Sequence, residues 1–202
     1  GEVLNNVILK DKNDIYNRIY VVSAYSGVTN ELLEHKKTGQ PGIYQSFQQN
    51  AEYEQAMISL QNRLCEMNPN FEGIGLNLAL ADQFVCERIS FAVNILKSMD
   101  NVISSGYVKR SEVLLAAREL LASIGEMHSA FNSANILQNL GYNATFVDLS
   151  GWQERRERTI DERIRHTFAK LDPTKTICVA TGYTKGTEGI MREFDRGYSE
   201  VT

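Results

Sequence analysis

Three short stretches of the 202-residue chain combine residue types that could bind a small charged molecule. Ser23-Ala24-Tyr25-Ser26-Gly27-Val28-Thr29 is rich in hydroxyls around one glycine. Gly125-Glu126 places a carboxylate beside a residue that often interrupts a helix. Asp195-Arg196-Gly197-Tyr198-Ser199-Glu200 sets a guanidinium next to glycine and hydroxyls. Glu126 would supply an anion, Arg196 a cation, and the loops neutral donors. That set suits a zwitterionic amino acid, with the carboxylate for its ammonium and the guanidinium for a carboxylate. Taken singly, each stretch has an ordinary structural reading. A Glu on a helix is ordinarily solvated, a Gly-Ser-Thr loop is ordinarily a connection, and an Arg beside acids is ordinarily a surface ion pair. Composition and spacing alone define an α/β small-molecule-binding domain.

The elements that must position these stretches are readable from periodicity. Val3, Val7, Ile8 and Leu9 form a short helical stripe that the polar run 10–14 breaks. Residues 18–24 are apolar and β-branched and predict a buried strand of the kind found in parallel sheets. Ligands in open α/β sheets bind outside the carboxyl ends of the strands. The Ser23–Gly27 loop has that position, and a helix over 28–37 would turn free N–H groups toward an anion. A turn at 38–42 follows. Residues from about 45 to 105 read as mostly helical, with segments 46–67 and 76–99 separated by Asn68-Pro69-Asn70. They predict an all-helical insertion or subdomain. A third helix spans 111–140. Gly125 costs it about 1 kcal/mol relative to Ala, which predicts a break with a second helix starting beside Glu126. Gly141 suits a C-terminal cap. A strand over 143–149, a helix over 161–171 and a strand over 176–182 complete the pattern. Alternation of strand and helix predicts a mainly parallel sheet with helices on both faces.

Composition narrows the function classes. Hydrophobic residues make up 43% and charged residues 23%, as in ordinary globular domains. A net charge of -4 argues against a nucleic-acid partner. Arg155, Arg156 and Arg158 alternate with Glu154 and Glu157, which reads as a solvated helix face. The three cysteines are odd in number and lack zinc or redox spacing, so reduced thiols in a cytoplasmic protein are expected. His35, His128 and His166 do not cluster with acids at ligand spacing, and no transition-metal site is inferred. No apolar run approaches the roughly 20 residues of a membrane span. The start at Gly1 and the stop at Thr202 predict a chain cut short at both ends.

The three stretches, in this order, resemble the aspartate kinases of the amino-acid kinase family. VVSAYSGVTNELL is similar to that family's V-x-S-A-x-x-G-x-T-N strand and loop. ASIGEMHSAFNSANILQNLGYNATFVD resembles its G-E-x-x-S-A helix and following strand. ATGYTKGTEGIMREFDRGYSEVT resembles its G-[FY]-x-G…GRGGSD segment. The similarity is much weaker around residues 45–105. HKKTGQPGIY and DRGYSE further resemble a subgroup found in bacteria that make the osmolyte ectoine.

The resemblance implies a three-layer αβα sandwich of the amino-acid kinase (carbamate kinase-like) type with a helical insertion. It implies that residues 1–202 are the amino-acid-binding part of the catalytic domain. The implied reaction transfers the γ-phosphoryl of Mg-ATP to the β-carboxylate of L-aspartate. Glu126 would pair with the α-ammonium and Arg196 with a substrate carboxylate. Ser23, Thr29, Tyr183 and Ser199 would complete the pocket. Gly27, Gly197 and Glu200 would lie toward the nucleotide. Tyr198 and Glu200 stand where the family usually has Gly and Asp. The family's K-x-G-G-[ST] strand and its adenine-binding residues have no counterpart here, so little of the ATP site is expected and the 202-residue chain alone is expected to be inactive. A homodimer is the family's usual assembly. Two alternatives stay open on the sequence. One is an amino-acid kinase with another acceptor, such as an acetylglutamate, glutamate or uridylate kinase. The other is a non-catalytic amino-acid-binding module lacking the ATP lobe.

Overall fold

The computed structural model describes residues 15–189. Among them, six α-helices and three strands follow one another as β1 (Ile19–Val22), α1 (Val28–Leu32), α2 (Ile43–Gln48), α3 (Tyr53–Met67), a 3-10 segment (Asn68–Ile74), α4 (Leu78–Ser104), α5 (Arg110–Asn139), β2 (Ala144–Val147), α6 (Ile160–Phe168) and β3 (Ile177–Thr181). The sheet is parallel, in the order β1-β3-β2, with Ile19 beside Cys178 and Ala144 beside Ile177. The expected α/β class with a parallel sheet is observed. The stripe around Val3–Leu9 lies outside the described residues.

Helix α5 is the hub. On one side, Ala130, Ala134 and Leu137 pack against Ile177 and Val179 of β3 and Ala144 of β2. On the other, Leu121, Ile124 and Met127 join a core built from α1 to α4. Those helices bury one stripe each, as amphipathic helices do: Tyr53, Met57, Leu60 and Leu64 on α3, and Ala81, Val85, Ile89, Ala92 and Leu96 on α4. The opposite sheet face, with Val147, Cys178 and Ala180, is covered by Ile164 and Phe168 of α6.

Local chemistry explains the ends. Thr159 caps α6 by accepting from the Glu162 N–H, while Glu162 accepts from the Thr159 N–H. Gly141 closes α5 at φ 87°, where the Tyr142 N–H reaches the Leu137 carbonyl at 3.0 Å and the Gly141 N–H reaches that of Gln138 at 2.9 Å. This double bond satisfies carbonyls that the helix end would leave orphaned.

Four expectations need correction. Strand β1 is not buried on both faces: Ile19 and Val21 are 49% and 38% exposed, over an apolar groove shared with Ile164, Phe168 and Pro173. The first helix ends at Leu32, because residues 33–42 fold back in a loop that pairs Glu34 with Pro41. The His35 Nδ1 accepts from the Lys37 and Thr38 N–H groups and stabilises that reversal. The 154–158 run is not a helix face. Within it, Glu154 bridges Arg158 at 2.5 Å and the buried Arg163 at 2.8 Å. Finally, α5 is not broken at Gly125.

Gly125 is there for contact. A Cβ built at this position would lie 2.7 Å from the Ala24 Cβ and 2.9 Å from Val28 Cγ1. The Gly125→Ala substitution should therefore destabilise the protein by a net ~1–2 kcal/mol, overpacking outweighing the gain in helix propensity. A urea midpoint that rises instead would show that the 24–28 segment moves away freely.

Candidate functional site

The G-E-M-H-S-A stretch of α5 has a separate task for each residue. Gly125 admits Ala24 and Val28. Glu126 is 8% exposed on the same turn, not solvated as a helix-surface Glu would be. Met127 is core. His128 enters a buried polar cluster. The Ser129 hydroxyl donates to the Ser23 carbonyl at 2.7 Å, fixing the first residue of the loop after β1. Ala130 is small enough for the sheet to approach.

The loop after β3 is held as firmly. The Gly182 N–H donates to the Val22 carbonyl at 3.0 Å, joining the carboxyl ends of β1 and β3. The Thr181 hydroxyl donates to the Tyr183 carbonyl at 2.8 Å and accepts from the Leu149 N–H at 3.1 Å. Tyr183 is 2% exposed, and its hydroxyl donates to the Glu119 carboxylate. Burial raises the Tyr183 pKa well above its ordinary value. The negative charge and hydrogen bond of Glu119 add to this, Arg163 opposes it, and Glu126 adds a smaller push. Glu126 thus lies within electrostatic reach of Tyr183. Arg163 braces the loop from behind by donating to the Lys185 carbonyl. Gly151, at φ 68°, leaves room for its guanidinium, which a Cβ would meet at 2.7 Å.

Of the residues read from the sequence, Ser23, Gly27, Thr29, Glu126 and Tyr183 are therefore gathered where the strands end and α5 passes. Gly27 precedes α1 at φ 85°, a conformation that favours glycine. Thr29 lies in the first turn of α1. Neither of two cavities is lined by all of them. A cleft of about 740 Å³ includes Gly27, Glu31 and Arg63, the last two forming an ion pair. A cavity of about 450 Å³ includes Tyr183, Glu119, Trp152 and Lys185. Neither has Glu126 in its lining. Arg196, Gly197, Ser199 and Glu200, with Tyr198, lie outside the described residues. Among the described residues no group of three or more His, Cys, Asp and Glu side chains is placed to hold a metal ion, and no helix is long and apolar enough to cross a membrane.

Sequence reasoning missed Glu119, although Glu112, Glu119 and Glu126 recur every seven residues along α5. It also missed the cluster around His128. Asn68, 60 positions away, is fully buried and meets His128 Nε2 at 2.8 Å. Burial lowers the His128 pKa from 6.5 to about 4, with the charge of Asp82 opposing. Burial also pushes the Tyr25 phenol up to about 12, against a hydrogen bond from Asn132.

The parallel sheet with helices against both faces makes this an α/β protein. Over its whole length the chain is similar to aspartate kinase Ask_Ect of Stutzerimonas stutzeri (strain A1501), with 43% identity over 206 residues, 100% of this chain and 43% of that relative. The name of that relative matches the family that the sequence motifs resemble, the aspartate kinases of the ectoine-associated type. It spans less than half the length of the curated relative it matches. No protein-family model and no solved structure matches the chain.

His128 gives the protein a measurable pH signature. The unfolded chain binds a proton there below about pH 6.5 and the folded chain only near pH 4. Its stabilising contribution is complete above pH 6.5 and is lost as the pH falls through that window, by a total of about 3 kcal/mol. Urea midpoints should drop between pH 7 and 4.5 more steeply in the wild type than in His128→Gln. Parallel slopes would refute the buried neutral imidazole.

Proposed function

We propose that the full-length protein is an ATP-dependent aspartate kinase that forms 4-phospho-L-aspartate, and that residues 1–202 are the amino-acid-binding part of its catalytic domain. The observation that carries this reading is the buried Glu126 on α5, gathered with the loops after β1 and β3. The name of the relative matched along the whole chain supports it. In this reading the small parallel sheet belongs to a three-layer αβα sandwich of the amino-acid kinase type, and the helices between residues 43 and 104 are an insertion into it.

The chemistry asked of these residues is positioning and charge neutralisation. A carboxylate acceptor is already a competent nucleophile, so no general base is required. Glu126 binds the α-ammonium and orients the β-carboxylate for in-line attack. Arg196 pairs with a substrate carboxylate, and Ser23, Thr29, the backbone at Tyr183 and Ser199 supply neutral contacts. Burial of Glu126 strengthens its pull on an ammonium, because little water competes there. ATP is the second substrate. Mg²⁺ bound to it would neutralise phosphate charge, and Gly27, Gly197 and Glu200 are the residues of this chain assigned to the nucleotide side. The described residues alone do not make a metal site, and each role above belongs to the chain's own side chains. The protein is proposed to act in the cytoplasm as a homodimer.

In the full-length protein, ADP formation should depend on L-aspartate and not on L-glutamate, N-acetylglutamate or UMP. Activity with one of those instead would assign a different acceptor. Glu126→Gln and Arg196→Ala should each weaken aspartate by about 2 kcal/mol, roughly 30-fold in KM, as for a lost charge-assisted bond. An unchanged KM would remove that role. The 202-residue chain by itself should give no useful turnover, and clear aspartate-dependent ADP production by it would overturn that part of the reading.

A further inference from the structure

The function proposed above leaves one buried feature unused. Asn68 at the start of the 3-10 segment, Asp82 on α4, and His128 and Asn132 one turn apart on α5 form a continuous polar chain inside an otherwise apolar core. The Asn68 Nδ2 donates to Asp82 Oδ1 at 2.7 Å. That bond decides the orientation of the amide, because its oxygen cannot face the carboxylate. The Asn68 Oδ1 is thereby turned to α5, where it accepts from Asn132 Nδ2 at 2.8 Å and lies 2.8 Å from His128 Nε2. His128 must then carry its proton on Nε2. The 3.1 Å approach of Asn132 Nδ2 to His128 Nε2 is between two groups aimed at the same oxygen. The Asn132 side chain also hydrogen-bonds that of Tyr25. Three of the four network residues, Asn68, His128 and Asn132, are at most 1% exposed.

Tyr25 connects this chain to the site. It stands in the middle of the loop that Ser129 anchors at Ser23. Its ring stacks on Phe71 of the 3-10 segment, with centroids 5.0 Å apart, and meets the His128 ring edge-on at 5.3 Å. Tyr25 thus fills a slot whose walls come from the helical stretch on one side and from α5 on the other. An apolar cluster would hold such a slot together equally well, since buried polar groups cost stability unless each is satisfied. What a directional network adds is a single orientation.

We propose that Asp82, Asn68, His128 and Asn132 are positioning residues that hold Tyr25, and through it the loop from Ser23 to Gly27, in the geometry that binds the amino-acid acceptor. The proposal rests on the aspartate kinase reading for the identity of that acceptor. It gives the helical stretch a role in the site: its Asn68, Phe71 and Asp82 set the loop from behind without touching substrate.

The test uses the full-length protein and two readouts. His128→Phe keeps a ring against Tyr25 and removes the donor to Asn68, whereas His128→Gln keeps a donor. Tyr25→Phe keeps both ring contacts and removes only the hydroxyl, so it serves should His128→Phe fold poorly. His128→Phe should raise the KM for aspartate about 10-fold, with kcat and the KM for ATP within about 2-fold, and His128→Gln should recover most of the loss. Tyr25→Phe should raise the same KM about 3-fold. Independently of activity, amide hydrogen exchange in residues 24–28 should quicken in His128→Phe and Tyr25→Phe and stay unchanged in α6. Loop exchange equal to wild type in both variants would overturn the proposal even if the protein phosphorylated some other acceptor. Faster exchange with an unaltered aspartate KM would overturn it as well. A wild-type protein without aspartate-dependent turnover would sink the kinase reading alone, because the exchange experiment still reports on the network.

Discussion

The contact on which the rest depends is the close approach of α5 to the segment after β1. At Gly125 the helix backbone comes near enough to Ala24 and Val28 to exclude even a methyl group. One turn later Ser129 bonds the Ser23 carbonyl. Together they fix the height and direction in which the chain leaves the sheet. Glu126 lies between these two anchors and is buried with them. The loop after β3 is then placed by the sheet itself, through Gly182 and Val22, and Tyr183 closes over the helix.

This arrangement makes α5 a shared wall. Its apolar residues serve the sheet on one side and the helical layer on the other, which explains why it is buried all round from Leu121 to Ala130 while the helices against it are buried on one stripe only. A buried helix of this kind has few ways to accommodate polar groups. Several are paired at specific distances, Ser129 with Ser23, His128 and Asn132 with Asn68. Ser23 belongs to the loop after β1, and Asn68 to the 3-10 segment between α3 and α4.

Much of this was legible in the sequence because it is local. The strands announced themselves by β-branched runs, and Gly141 and the T-x-x-E pattern of Thr159 and Glu162 mark helix ends by short-range hydrogen bonding. The error at Gly125 came from the same local logic. Helix propensity treats glycine as a weak point, but the position is decided by Ala24 and Val28, about a hundred residues earlier in the chain. The helix after Gly27 was drawn too long because nothing in its own pattern reveals that Glu34 will pair with Pro41. Glu126 was found through its neighbours in the motif. Glu119 and Asn68 were not, since each meets a helix or loop partner 60 or more residues distant.

The outer face of β1 has a different consequence. Ile19 and Val21 stand half in solvent above a groove of about 340 Å³ floored by Ile164 and Phe168, on the outermost strand among those described. That flank is apolar and only half covered. Ile19 and Val21 therefore give up less burial on substitution than Ile177, Cys178, Val179 and Ala180 of β3, which are fully buried.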